Sequence, residues 1–149
     1  MKDMENKYYT PTIEEFRVGF EYEYKCWVKS IEIWEKETYG NSNNFDHHYL
    51  DTVEDWCRDS NCRVKYLDKQ DIEECGFKQL KNYWSEQLYQ SKITTINETA
   101  TWYEIDVEEH RILISSYMSN DDDTGSDILF RGTIKNKSEL KVLLKQLGI

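Results

Sequence analysis

Between Phe16 and Cys26 every second residue is apolar or aromatic: Phe16, Val18, Phe20, Tyr22, Tyr24 and Cys26. Six period-two positions in a row fit an antiparallel strand with one buried face. They do not fit an amphipathic helix, whose apolar positions recur every three to four residues. The alternation predicts a strand over Phe16 to Trp27. Its second face carries Arg17, Gly19, Glu21, Glu23, Lys25 and Trp27. At Lys29-Ser30 the parity flips, because Ile31 and Ile33 are odd-numbered. A turn or bulge there, then a second strand to about Trp34, is the simplest account.

Local signals divide the rest of the chain. "ETYGNSNNFDHH" reads as a loop. "YLDTVEDWC" puts Leu50, Val53, Trp56 and Cys57 at helical spacing, and "CRVKYL" reads as a short strand. Asp68 is placed to cap a short helix in which Ile72 and Cys75 face inward and Gly76 ends the run. Residues 78–96 stay open between helix and strand, although "LYQSKITTI" favours strand by its Ile and Thr content. "TWYEIDV", "RILISSYM" and "ILFRGTIK" read as strands, separated by turns at "EEHR" and "SNDDDTGSD". At the C-terminus Asn136 is the expected N-cap and Glu139 completes a capping-box pattern. Leu140, Leu143, Leu144 and Leu147 form one stripe, and Gly148 sits where a helix stops.

The expected fold is α+β, one domain over residues 1–149. A single, mostly antiparallel twisted sheet of five to seven strands is packed on one side by the C-terminal helix. A free sheet edge leaves a homodimer open.

Composition limits function. Nineteen basic against 29 acidic residues give a net charge of −10, which disfavours direct binding to nucleic acid. No stretch is apolar enough for a membrane span, and the N-terminus has no apolar signal region. A cytoplasmic setting follows as an expectation. There Cys26, Cys57, Cys62 and Cys75 are read as reduced structural thiols. Five Trp and eleven Tyr in 149 residues are too many for one small core, so some rings should meet solvent or a partner.

Candidate chemistry is sparse. Glu23-Tyr24-Lys25, with Glu21 on the same face, has the residue types of a magnesium nuclease but equally those of a solvated strand. Asp46-His47-His48 and His110 lack zinc spacing, as do the cysteines. "NDDDTGSD" fails the spacing of a calcium loop. No phosphate loop or nucleophile motif occurs. No enzyme, metal or cofactor is therefore expected. The expected ligand-binding residues are Arg17, Gly19, Lys25, Trp27 and Arg131: rings for stacking, cations for charge, and a glycine where a missing side chain in mid-strand admits close approach.

Three segments carry a resemblance: "YYTPTIEEFRVGFEYE", "RVKYLDKQDIEECGF" and "FRGTIKNKSELKVLLKQLGI". Together they resemble a family of small uncharacterised proteins from phages and prophages of gut Bacteroidales, including crAss-like phages. The resemblance covers about a third of the chain and brings no activity or catalytic residue with it. It implies a phage origin and residence in the host bacterial cytoplasm. The expectation is a non-catalytic protein acting by occupancy, in counter-defence, by sequestering a host small molecule such as a nucleotide signal or by blocking a host protein. A structural or assembly role in the phage particle, and an acidic DNA mimic inhibiting a host nucleic-acid enzyme, are the alternatives.

Overall fold

Backbone pairing follows the alternation, but not as one sheet. The structure, a computed structural model, describes residues 7–40, 49–81, 87–109, 111–120 and 123–149, with side chains in the stretch 49–81 described from Val53 onward. Asp46, His47, His48, His110 and the Leu50 side chain, all named above, lie outside the described residues. The chain divides into two compact units, Met1–Tyr66 and Leu67–Ile149. Each has its own antiparallel sheet. The α+β class and the C-terminal helix are as expected. The single sheet is corrected to two, because the strand Cys62–Lys65 pairs back onto earlier strands while every described strand after Tyr66 pairs within its own unit.

The first unit contains β1 (Tyr8–Tyr9), a 3₁₀ turn (Ile13–Glu15), β2 (Glu21–Val28), β3 (Ile31–Thr38), α1 (Tyr49–Arg58) and β4 (Cys62–Lys65). The strand order is β1-β4-β2-β3. β2 and β3 form a hairpin in which Val28 faces Ile31. Its two turn residues, Lys29 (φ 50°) and Ser30 (φ 66°), are both left-handed, as the two-residue turn that matches strand twist requires. A two-residue turn also explains the parity flip, since each even residue of β2 now faces an odd residue of β3. β3 runs on to Thr38, beyond the expected end at Trp34. One face of the sheet buries Phe20, Tyr22, Cys62 and Val64. Phe16 packs on it edge-to-face, its ring 5.0 Å from Phe20, 5.0 Å from Tyr22 and 5.7 Å from Tyr39. Tyr24 stacks flat on Trp56 of α1 at 5.1 Å. Aromatic rings thus supply most of this small core.

The second unit contains α2 (Lys69–Glu74), β5 (Phe77–Gln79), β6 (Leu88–Ser91), β7 (Thr94–Ile96), β8 (Thr99–Glu108), β9 (Arg111–Ser119), β10 (Thr124–Thr133) and α3 (Lys137–Leu147). The sheet order is β10-β9-β8-β6-β5, with β7 also on β8. Among its described residues, the undecided stretch carries β6, β7 and the end of β5. β10 starts at Thr124, inside the expected turn, and bulges between Ile128 and Phe130. The core joins Ile72, Phe77, Tyr89, Ile105, Ile112 and Ile114 to Leu140 and Leu144 of α3. Asn136 caps α3, accepting from the Glu139 N–H at 3.0 Å. Glu139 closes the motif one residue upstream of the usual place, accepting from the Lys135 N–H at 2.7 Å. Gly148 ends the helix at φ 76°.

Candidate functional site

Register assigns the outer face of the first sheet. Glu21, Glu23, Lys25 and Trp27 of β2 face Thr38, Lys36, Trp34 and Glu32 of β3. Glu23 also faces Arg63 of β4, and Lys65 of β4 faces Tyr8 of β1. Directly paired residues point to the same side of an antiparallel sheet. The face is therefore a mixture of rings, cations and carboxylates.

Arg63 is its centre. Its guanidinium carbon lies 4.0 Å from the Tyr8 ring centre and 4.1 Å from that of Trp34. Its Nε and Nη2 both reach Oε2 of Glu23 at 2.7 Å. Lys25 pairs with Glu32 at 3.3 Å and sits 5.4 Å from the Trp34 ring centre. Glu23 and Lys25 thus each have another partner. No cluster of metal-ligating side chains occurs among the described residues.

Beyond Tyr24, β2 loses β4 as a neighbour and continues with β3 alone. The hairpin end is a two-stranded ribbon. Trp27 is 66% exposed there, Val28 46% and Ile31 65%. On the opposite face of the same hairpin the Tyr24 hydroxyl donates to Oε2 of Glu35 at 2.7 Å. That bond to a carboxylate, reinforced by burial, raises the Tyr24 pKa to about 12.

The expected site residues divide. Lys25 and Trp27 share the outer face of β2, as alternation required. Arg17 and Gly19 precede the strand instead of lying within it, which corrects the Phe16–Trp27 boundary. The Phe20 N–H donates to the Arg17 carbonyl at 2.9 Å, closing a turn, and Gly19 has φ 89°. That is the third position of a type II turn, which needs positive φ. A Cβ built on Gly19 would meet nothing within 4 Å. Gly19 is thus explained by its backbone conformation, not by close approach in mid-strand. Arg131 belongs to the second unit, exposed on β10 opposite Leu113.

Sequence reasoning missed Arg63. It also missed an aromatic cluster on the second sheet, where Trp102 of β8 and Tyr117 of β9 face each other and stack at 5.4 Å. The Trp102 indole N–H donates to Oε1 of Glu104 at 3.0 Å, and Gln90 donates to the same oxygen at 3.2 Å. Burial and the Glu104 carboxylate raise the Tyr117 pKa.

Comparison with protein-family models, with curated proteins and with solved structures finds no match. No helix among the described residues is long and apolar enough to cross a membrane.

Proposed function

We propose that this chain is a non-catalytic binding protein that acts by occupancy, with the β2–β3 hairpin end as its anchor on a protein partner. The observation that carries the reading is the exposure of Trp27 beside Val28 and Ile31 on a ribbon closed by a two-residue turn. A large ring on a short hairpin presents much apolar area and loses few rotamers on binding. Rings of this kind, when truncated, are where interfaces lose most affinity.

The charges favour blocking a protein over sequestering a nucleotide. A phosphate needs cations not already paired. The two cations of this face that lie against the Trp34 ring, where a base would stack, are already engaged: Arg63 serves Glu23, and Lys25 serves Glu32. The same pairings argue against a DNA mimic, which needs carboxylates without neighbouring cations. The resemblance of three segments to small phage proteins supports reading the partner as a bacterial host protein, and the role as counter-defence in the host cytoplasm.

The test is capture from host-cell extract on immobilised protein, with Trp27→Ser carried in parallel and native mass spectrometry of the retained species. A protein retained by the natural chain and lost from a folded Trp27→Ser variant supports the reading. A retained small molecule, or a partner that both proteins hold equally, overturns it.

A further inference from the structure

Two thiols that the sequence separates by four residues meet in the fold. Cys57 lies in the last turn of α1 and Cys62 opens β4. Their sulfur atoms are 3.4 Å apart, with the Cys62 thiol donating to Cys57. The reversal between them is fixed at several points. Ser60 is left-handed at φ 56°. The Ser60 N–H donates to the Cys57 carbonyl at 3.3 Å, and the Asn61 N–H to the Trp56 carbonyl at 2.7 Å. The Lys25 N–H donates to the Asn61 carbonyl at 2.8 Å, tying the reversal to β2. Backbone hydrogen bonds therefore hold the sulfurs together. Cys26 and Cys75 lie on other elements, within β2 and at the end of α2.

We infer that Cys57 and Cys62 form a modification site, a dithiol that a small disulfide co-reactant converts into an intramolecular disulfide. Cys57 is the attacking thiol, because it is partly exposed and accepts the hydrogen bond, whereas Cys62 is 1% exposed. Its thiolate attacks one sulfur of the co-reactant RSSR, the RS–SR bond breaks, and the first RS⁻ leaves and takes up a proton. The Cys62 thiolate then attacks the Cys57 sulfur of the mixed disulfide and expels the second RS⁻. The protein loses two hydrogens and two electrons, and RSSR becomes two RSH. A disulfide bond is ~2.05 Å long, so the sulfurs must close by roughly 1.4 Å.

The surroundings set the rate. Burial raises the Cys57 thiol pKa, and the nearby carboxylates of Glu15, Glu14 and Glu54 raise it further, while the bond from Cys62 lowers it. Burial raises Cys62 as well. Little thiolate is present at neutral pH, so oxidation is slow. Carboxylates around the attacking sulfur also repel an anionic co-reactant. Cystamine, a cationic disulfide, should react faster than oxidised glutathione, an anionic one.

The experiment treats the whole reduced chain with each disulfide, alkylates the remaining thiols, and maps peptides by mass. The expected product has lost the mass of two hydrogens, links Cys57 to Cys62, and leaves Cys26 and Cys75 alkylated. Cystamine should give it at least several-fold faster than oxidised glutathione. Cys62→Ser should stop at the mixed disulfide on Cys57. A product in which Cys26 or Cys75 replaces either partner overturns the inference. So does alkylation of both Cys57 and Cys62 after cystamine has been consumed at other thiols. The wild-type map decides by itself if the Cys62→Ser variant does not fold.

Discussion

Arg63 and Glu23, forty positions apart in the chain, meet through two N–H groups on one carboxylate oxygen, at 2.7 Å each. Their side chains keep 29% and 14% of their exposure, so the pair is partly withdrawn from water. The Tyr8 and Trp34 rings against the guanidinium add cation–π attraction. This one side chain joins β1, β4, β2 and β3 across the face opposite the core.

Replacing Arg63 by Met should therefore destabilise the first unit by about 2 kcal/mol, because it leaves the Glu23 carboxylate half-buried without its partner. Arg63→Lys should recover only part of the loss, since an ammonium cannot make the fork or lie flat between two rings. Urea unfolding of Arg63→Met, Glu23→Gln and the double variant checks this. Additive losses would contradict direct coupling.

Gly19→Val should destabilise by roughly 1–2 kcal/mol, although the position has room for a side chain. The cost is that of holding a β-branched residue at positive φ. Gly19→Asn should cost less, because Asn tolerates left-handed backbone better. Equal stability of all three proteins in urea would contradict the turn geometry.

Tyr24 links stability to alkaline pH. Its folded pKa of about 12 stands above the ordinary ~10 of a tyrosine in the unfolded chain. The contribution of its bond to Glu35 is then fully present below pH ~10, and is lost as pH rises from there through about 12. Absorbance titration of the phenolates should show a late component, shared with the raised Tyr89 and Tyr117, whose amplitude falls by one tyrosine in Glu35→Gln. A late component of unchanged amplitude in that variant would contradict the assignment.

In α3, Leu140→Ala should cost roughly 2–5 kcal/mol, because Leu140 is fully buried among Ile105, Ile112 and Ile114. Leu143 is only partly buried against the same cluster, so Leu143→Ala should cost clearly less. The reverse order in chemical denaturation would contradict the helix orientation.

Legibility followed the range of the interactions. The cap at Asn136, the leucine stripe and the stop at Gly148 are all local, and α3 could be read from them. The β2–β3 hairpin was legible as a parity flip. Gly19 was misread because the alternation runs on by chance into the turn. Val18 keeps the period yet is 77% exposed, while Phe20 two residues later is buried. The division into two sheets was not legible, because period two says that a strand has two faces and not which strand lies beside it. Trp27 was legible from parity and from the excess of aromatic residues. Arg63 alternates with Cys62 and Val64 just as visibly, but its rings and its carboxylate come from three other strands. The meeting of Cys57 and Cys62 likewise depends on the left-handed residue at Ser60, where the sequence has no glycine to announce a reversal.

The central claim, that the hairpin end is the anchor, is tested most directly by the affinity of a captured host protein for three chains: natural, Trp27→Ser and Arg131→Ala. Isothermal titration should show binding weakened at least tenfold by Trp27→Ser. Arg131→Ala, on the second unit, should bind as the natural chain does, and the melting curves of all three should coincide. Undiminished affinity of a folded Trp27→Ser variant would contradict the account.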